Sequence, residues 1–292
     1  MDLVYLSQLL ITGITEGSIY VLVALGTVII YKCTRVVNLA QGEFVVLGGM
    51  LMATLTGVGL PIPLAFVLTL IIVALAGGLV AILGFRPYLK RNIPFGTIVV
   101  VTIGIHMFLK MAIMLIWGKL PISVPAFSGG IILEFYGVYI NPQSIWVIAL
   151  TGLTLVAAIY FLEKTLLGKA FRACAENRFS ARLFGINDDK MLLIALMLSG
   201  VLGAVGGATI APISYIKYDF GMMYSVNGFI AAVIGGLDKP MGAVVGGLMI
   251  GLISSFGAGL FGAGARDILV LATLLIILVL RPTGIYAGKA GG

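Results

Sequence analysis

Lys164-Thr-Leu-Leu-Gly-Lys-Ala-Phe-Arg-Ala-Cys-Ala-Glu-Asn-Arg-Phe-Ser-Ala-Arg-Leu-Phe-Gly-Ile-Asn-Asp-Asp-Lys190 is the one long polar stretch in an otherwise apolar chain. It carries six bases (Lys164, Lys169, Arg172, Arg178, Arg182, Lys190) and three acids (Glu176, Asp188, Asp189), and long apolar runs flank it on both sides. A polar segment between membrane spans must lie in water, and an excess of Lys and Arg assigns it to the cytoplasmic side. Its inner part reads as helix. Phe171, Ala175, Phe179 and Leu183 recur every four residues and would share one face, with Lys169, Arg172 and Glu176 on another. Gly185 is a helix stop, and Asn187 or Asp188 caps the helix that follows. Two readings stand at this point: an amphipathic helix on the lipid surface, or a docking element for a cytoplasmic partner.

Composition supports the membrane reading. Of 292 residues, 61% are hydrophobic and 10% charged, and the mean hydropathy is +1.18. A soluble domain is nearer about 45–50% apolar and about 25% charged. The fold class expected is an all-α polytopic membrane protein. The 40 glycines suit closely packed membrane helices. The net charge of +7 is what cytoplasmic Lys and Arg leave behind, and gives no reason to invoke nucleic acid. Cys33 and Cys174 have no metal-ligand spacing and are expected to form no disulfide. The first apolar run lacks a basic n-region and is too long for a signal segment, so it is expected to remain as a span.

A spanning helix needs roughly 20 apolar residues. Spans are expected near 6–31, 38–57, 61–84, 93–117, 143–163, 191–213, 224–237, 241–260 and 266–281, nine in all with a range of eight to ten. The pair 224–237 and 241–260 is the weakest, and reads alternatively as a re-entrant hairpin around Asp238-Lys-Pro240. With the N-terminus outside and the C-terminus inside, Lys32, Arg35, Arg86, Lys90, Arg91, the six island bases, Lys239, Arg281 and Lys289 are cytoplasmic. Only Lys119, Lys217 and Arg266 fall outside, and Lys110 lies within a span, so the positive-inside rule holds at every loop. The organisation expected is one membrane domain over 1–292, with an irregular external loop at 118–142 rich in Pro and Gly, Gly130 among them, and the polar loop at 164–190. Asn38-Leu-Ala-Gln-Gly-Glu-Phe-Val-Val-Leu-Gly-Gly49 loosely echoes Asn227-Gly-Phe-Ile-Ala-Ala-Val-Ile-Gly-Gly236. Transporters often contain such repeats, and a Gly-rich chain also produces them by chance.

Polar residues inside apolar runs are the candidate path. Gln8, Thr12, Glu16 and Tyr20 are spaced by four on the first span. A carboxylate at that depth is costly unless it faces protein or water, so the stripe lines a pathway or forms an interhelical hydrogen-bond seam. Asn38, Gln41 and Glu43 open the second span at its cytoplasmic end. There Glu43 either caps the helix or lines a gate. Asn227 is the counterpart on the seventh span. His106 and Lys110 are four apart on the fourth; the His reads as structural or as a proton relay, and the Lys must face protein or snorkel. Arg266 and Asp267 begin the last span and read as caps. No phosphate loop, H-E-x-x-H, G-x-S-x-G or Cys/His cluster is present in the sequence, so enzyme chemistry has no support, and an ATP-driven machine would hydrolyse its ATP on another chain.

Four stretches, in order, resemble the branched-chain amino acid type of ABC-transporter permease: Asn38-Leu-Ala-Gln-Gly-Glu43-Phe; Gly168-Lys-Ala-Phe-Arg172-Ala173-Cys-Ala-Glu176-Asn177 with Ala181 and Gly185-Ile186-Asn187; Val233-Ile-Gly-Gly-Leu-Asp-Lys-Pro-Met-Gly-Ala-Val-Val-Gly-Gly-Leu248; and Arg281-Pro-Thr-Gly284. Arg178 stands where that pattern often has Pro. The resemblance implies a permease like those of type II ABC importers, in a bacterial or archaeal cytoplasmic membrane and surrounded by lipid. It implies a second, related permease, two cytoplasmic ATPase subunits that carry ATP and Mg, an external substrate-binding protein, and no cofactor on this chain. The polar loop becomes the coupling element, with Gly168, Arg172, Ala173, Glu176, Asn177 and Gly185 as contact and hinge residues. Implied cargoes are branched-chain or other amino acids, amides or urea. The rival from another class is an ion-coupled carrier using Glu16, Glu43 and His106.

Overall fold

A computed structural model describes residues 3–87, 95–129, 133–135, 137–237 and 239–286. Lys90, Arg91, Gly130, Asp238 and Lys289 of the sequence reading lie outside the described residues. The helices are α1 (Leu3–Thr34), α2 (Gln41–Gly57), α3 (Ile62–Val80, extended by a π-turn at Ala81–Phe85), α4 (Phe95–Trp117), α5 (Pro142–Lys164), α6 (Leu166–Glu176), α7 (Arg178–Leu183), α8 (Asp188–Ile210), α9 (Gly221–Gly235), α10 (Pro240–Phe261) and α11 (Ala263–Leu280). Each expected span coincides with one of them. Seven are long and apolar enough to cross a membrane among the described residues. The exceptions are α2, with 17 residues, and α9, with 15.

Local chemistry sets several of the ends. Asn141 caps α5 by accepting from Gln143 N, with Pro142 at the first helical position, where its missing N–H costs nothing. Asn187 caps α8 by accepting from Lys190 N, and Asp188 and Asp189 sit in the first turn, where the helix dipole favours acids. The chain leaves α7 through Gly185 at φ +79°. There Gly185 N donates to Arg182 O and Ile186 N to Ala181 O, the paired bonds of a Schellman stop. Segment 118–142, expected to be irregular, contains a short antiparallel hairpin of β1 (Leu133–Phe135) and β2 (Val138–Ile140), turned at Gly137 with φ +78°.

The core is built on α1. Residues 17–30 are buried all round the helix, which explains why this run is apolar without periodicity. By contrast, α3, α4, α5 and α11 turn Leu75, Phe108, Leu153 and Val279 outward as an apolar belt. α1 packs along α10 through facing glycines: a Cβ on Gly251 would lie 2.3 Å from Gly17 Cα. α8 packs on α3 in the same way, with a Gly77 Cβ 2.4 Å from Leu196 O. The two quartets α1–α4 and α8–α11 thus mirror each other. α1 lies on α10 and α8 on α3; α2 leans on α8 and α9 on α1.

The short helices complete this pattern. Gly42 N donates to Ser225 Oγ at 2.7 Å, and a Cβ on Gly221 would lie 1.9 Å from Glu43 Oε1. The N-termini of α2 and α9 therefore meet. Their level is that of mid-helix residues: Gly26 of α1 beside Gln41, Ser199 of α8, and His106 of α4. From this junction α2 rises to the end bearing the β-hairpin, where Trp117 Nε1 donates to Thr54 Oγ1. α9 descends to the opposite end, where Gly235 abuts Gly242. The loosely echoing stretches fall on these two helices but out of register: Asn38 precedes the start of α2, whereas Asn227 lies within α9.

This corrects two expectations. The weak pair is not 224–237 with 241–260, because α10 is a full 22-residue helix. The short partner of α9 is α2. Asn38, Gln41 and Glu43 do not sit at a membrane surface either; they are 2%, 0% and 0% exposed at the bundle centre. The reason lies at Arg35, whose φ of +56° turns the chain back into the bundle, so that residues 36–40 run inward before α2 starts.

Candidate translocation cavity and loop surface

The stripe on α1 leads from the hairpin end towards the junction. Gln8 Nε2 donates to Tyr139 O of β2 at 3.1 Å. Thr12 lies exposed one turn further in, its hydroxyl donating to Gln8 O. Glu16 Oε2 accepts from Arg266 Nη2 at 2.9 Å. Arg266 Nη2 also donates to the hydroxyl of Tyr20, which accepts from Asn227 Nδ2 at 3.3 Å. Of the expected path residues, the structure brings Glu16, Tyr20 and Asn227 together and adds Arg266.

Arg266 was expected to cap the last span. Instead it reaches across to α1, and the α11 N-terminus has no side-chain cap. A base at the first turn of an apolar run reads the same in sequence whether it points to water or across the bundle. Only the depth of Glu16 hinted that a cation was needed.

Around this network lies a cavity of about 290 Å³. Its polar part is Glu16, Tyr20 and Arg266, with the hydroxyls of Thr12, Thr15, Ser144 and Ser214; its apolar wall includes Ile19, Ile210, Ile213, Phe220 and Met223. The side chains of Glu16 and Arg266 retain 31% and 23% exposure. A charged pair open to hydrocarbon would be expensive, so this opening faces water or protein.

Asn38, Gln41 and Glu43 form a separate, closed layer. Asn38 Oδ1 accepts from Ala40 N and turns the chain into α2. Gln41 Nε2 donates to Ser199 O at 3.0 Å, and the Ser199 hydroxyl returns a short bond to Gln41 Oε1. Glu43 Oε1 lies 2.9 Å from His106 Nδ1, off the line of a well-formed hydrogen bond. Glu43 thus has an ionisable partner that its place in the sequence did not indicate. Lys110 sits 5.8 Å over the Tyr218 ring, facing protein.

The opposite end presents the polar loop. Thr165 caps α6 by accepting from Gly168 N at 3.0 Å. Gly168 is buried, and a Cβ there would lie 2.2 Å from Phe161 O, so the α5–α6 corner admits no side chain. Arg172 is exposed and donates to Glu163 O at 3.3 Å; Ala173 is half-buried; Glu176 is exposed. Asn177 ends α6 and caps α7 by accepting from Ser180 N. That break overturns the single apolar face expected through Phe171, Ala175, Phe179 and Leu183. Phe171 is buried on the bundle, its ring 6.3 Å from that of Phe161. Phe179, Leu183 and Phe184 point away at 71%, 73% and 86% exposure. Such an exposed apolar cluster in a polar loop is what a protein partner or a lipid surface would cover. The four-residue period fails because two short helices replace one.

Four matches to known proteins bear on this arrangement. The family described as "branched-chain amino acid transport system / permease component" matches residues 9–280. The chain is 30% identical to the high-affinity branched-chain amino acid transport system permease protein BraD of Pseudomonas aeruginosa, over 96% of this chain and 95% of that one. It is 28% identical to the corresponding permease protein LivH of Escherichia coli over the same shares, and 29% identical to a probable LivH of Methanocaldococcus jannaschii over 90% of this chain and 88% of that one.

Proposed function

Since the chain belongs to the family of branched-chain amino acid transport permease components, we propose that it is the membrane subunit of an ATP-driven ABC importer for branched-chain or related amino acids. The observation that carries this reading is the family match over residues 9–280, nearly the whole chain. The missing phosphate loop agrees with it, since the ATP and its Mg²⁺ then belong on separate ATPase subunits.

In this reading the hairpin end faces outward and the α6–α7 end faces the cytoplasm of a bacterium or archaeon. Island bases at the α6–α7 end support that orientation. An external binding protein delivers cargo at the hairpin end. A second permease completes the path. One ATPase docks on the Phe179–Phe184 cluster and the other on the second permease, with Arg172, Ala173, Glu176 and Asn177 beside the cluster and Gly168 and Gly185 as the hinge positions. Closure of the ATPases pushes on α6 and α7, and helices packed through glycine contacts shift against one another.

Reconstitution tests it. The chain is expressed with a related permease, the two ATPases and the binding protein encoded beside it, and placed in liposomes. Concentrative leucine uptake that requires ATP is the expected result. Uptake by this chain alone, driven by an ion gradient, would refute it.

A further inference from the structure

The outer cavity holds a full ion pair that is open on one side. Full sequestration of such a pair costs desolvation that its mutual attraction often fails to repay. Glu16 and Arg266 instead keep 31% and 23% of their side chains exposed beside the cavity. Arg266 lines the cavity, and its Nη2 serves both Glu16 Oε2 and the Tyr20 hydroxyl. Across from the pair, Ile19, Ile213 and Met223 supply a wall with no charge. The volume, about 290 Å³, is at the lower end of the roughly 300–1,000 Å³ common for small-ligand sites.

A negative group, a positive group and an apolar wall around one cavity match one kind of solute. We propose that this cavity is a transit site for zwitterionic α-amino acids with aliphatic side chains, in which Glu16 receives the ammonium, Arg266 receives the carboxylate, and the side chain rests on Ile19, Ile213 and Met223. The inference rests on the importer reading and narrows its cargo. The two ligand charges replace the Glu16–Arg266 contact by two contacts of the same sign pattern, so no net charge is added to the membrane interior. Arg266 keeps its bond to the Tyr20 hydroxyl, which Asn227 holds from the other side. A neutral amide or urea brings no charge and leaves both charges of an opened pair without a counterion, which disfavours it.

The test uses the assembled importer, with L-leucine, L-leucinamide (no carboxylate) and 4-methylpentanoate (no ammonium) as probes. Saturation-transfer NMR on nanodiscs reads binding, and leucine uptake into proteoliposomes is measured in parallel. In the parent, leucine is expected to exceed either analogue by about tenfold, the size of one lost charge-assisted hydrogen bond. E16Q is expected to erase the preference over 4-methylpentanoate, and R266Q the preference over leucinamide. The exchanged pair E16R/R266E is expected to restore subunit assembly without restoring leucine uptake. An unchanged ranking in E16Q and R266Q, or parent-level uptake in the exchanged pair, overturns the inference alone, because both are what a structural ion pair would give. A parent complex that carries urea but no leucine overturns the importer's amino-acid reading and this inference together.

Discussion

Glu43 and Gly251 show what single positions carry in this protein. Glu43 is wholly buried and its ionisable neighbour is His106. Removing one member of a buried polar pair deprives the other of its nearest partner, at a cost of about 1–3 kcal/mol. H106A should therefore lower the thermal midpoint in detergent markedly, and the double variant E43Q/H106A should regain part of the loss. Equal melting of the two would show that the pair contributes nothing. At Gly251 the difficulty is space, since its Cβ would lie 2.3 Å from Gly17 Cα. G251L must push α1 from α10, and overpacking of this kind costs about 1–3 kcal/mol or more. A lower midpoint in temperature-ramped size-exclusion chromatography is expected, with no comparable change for a leucine at Gly152, which has open space around it. The residues themselves were legible in part. Four-residue spacing finds the stripe through Glu16 and Tyr20. Nothing local to Arg266 or His106 says which carboxylate each one meets, because those partners lie 250 positions apart in one case and on a different helix in the other.

At the scale of elements, apolar run length finds every helix that lies in the expected spans, and capping residues locate several ends. Depth is what it misses. Asn38, Gln41 and Glu43 at the start of an apolar run look alike whether the run begins at a membrane surface or halfway across. The positive φ at Arg35 that decides between the two leaves no mark in composition. The same applies to α6 and α7. A four-residue period continues on paper across Asn177, while its side chain in fact starts a new helix. N177A removes that cap, worth about 1 kcal/mol. ATP-driven uptake should fall while membrane yield stays unchanged. A stronger effect is expected from E176K and from F184D, which place a reversed or a new charge on the exposed surface. Both should insert normally and fail to co-purify the ATPases. Retained uptake with bound ATPases would refute this docking surface.

For the whole molecule, the side of the membrane on which each end lies is open to direct measurement. The native cysteines, Cys33 and Cys174, are buried, so a background with both replaced by alanine gives a clean baseline. A single cysteine at Leu120, 78% exposed near the hairpin, should react with an impermeant maleimide in intact cells. One at Phe184 should react only after permeabilisation. The reverse pattern would invert the assignment. Global architecture was the least legible level. The alternation of apolar and polar runs locates the long apolar helices, but the mirrored packing of α1 on α10 and α8 on α3 is written in single glycines scattered through a chain that has 40 of them.

The ion pair between Glu16 and Arg266 also has a history in time. The two residues are 250 positions apart, and ribosomes add about 5–20 residues per second. A newly made α1 therefore waits roughly 10–50 s in the bilayer before the last helix emerges with its guanidinium. Over the same interval its glycine face has no α10 to receive it. The first helix synthesised is the last to be completed, so the nascent protein must shelter a carboxylate in other hands, whether lipid headgroups, insertion machinery or a partner subunit. A chain broken off before Arg266 would leave Glu16 without the cation that it meets in the finished fold.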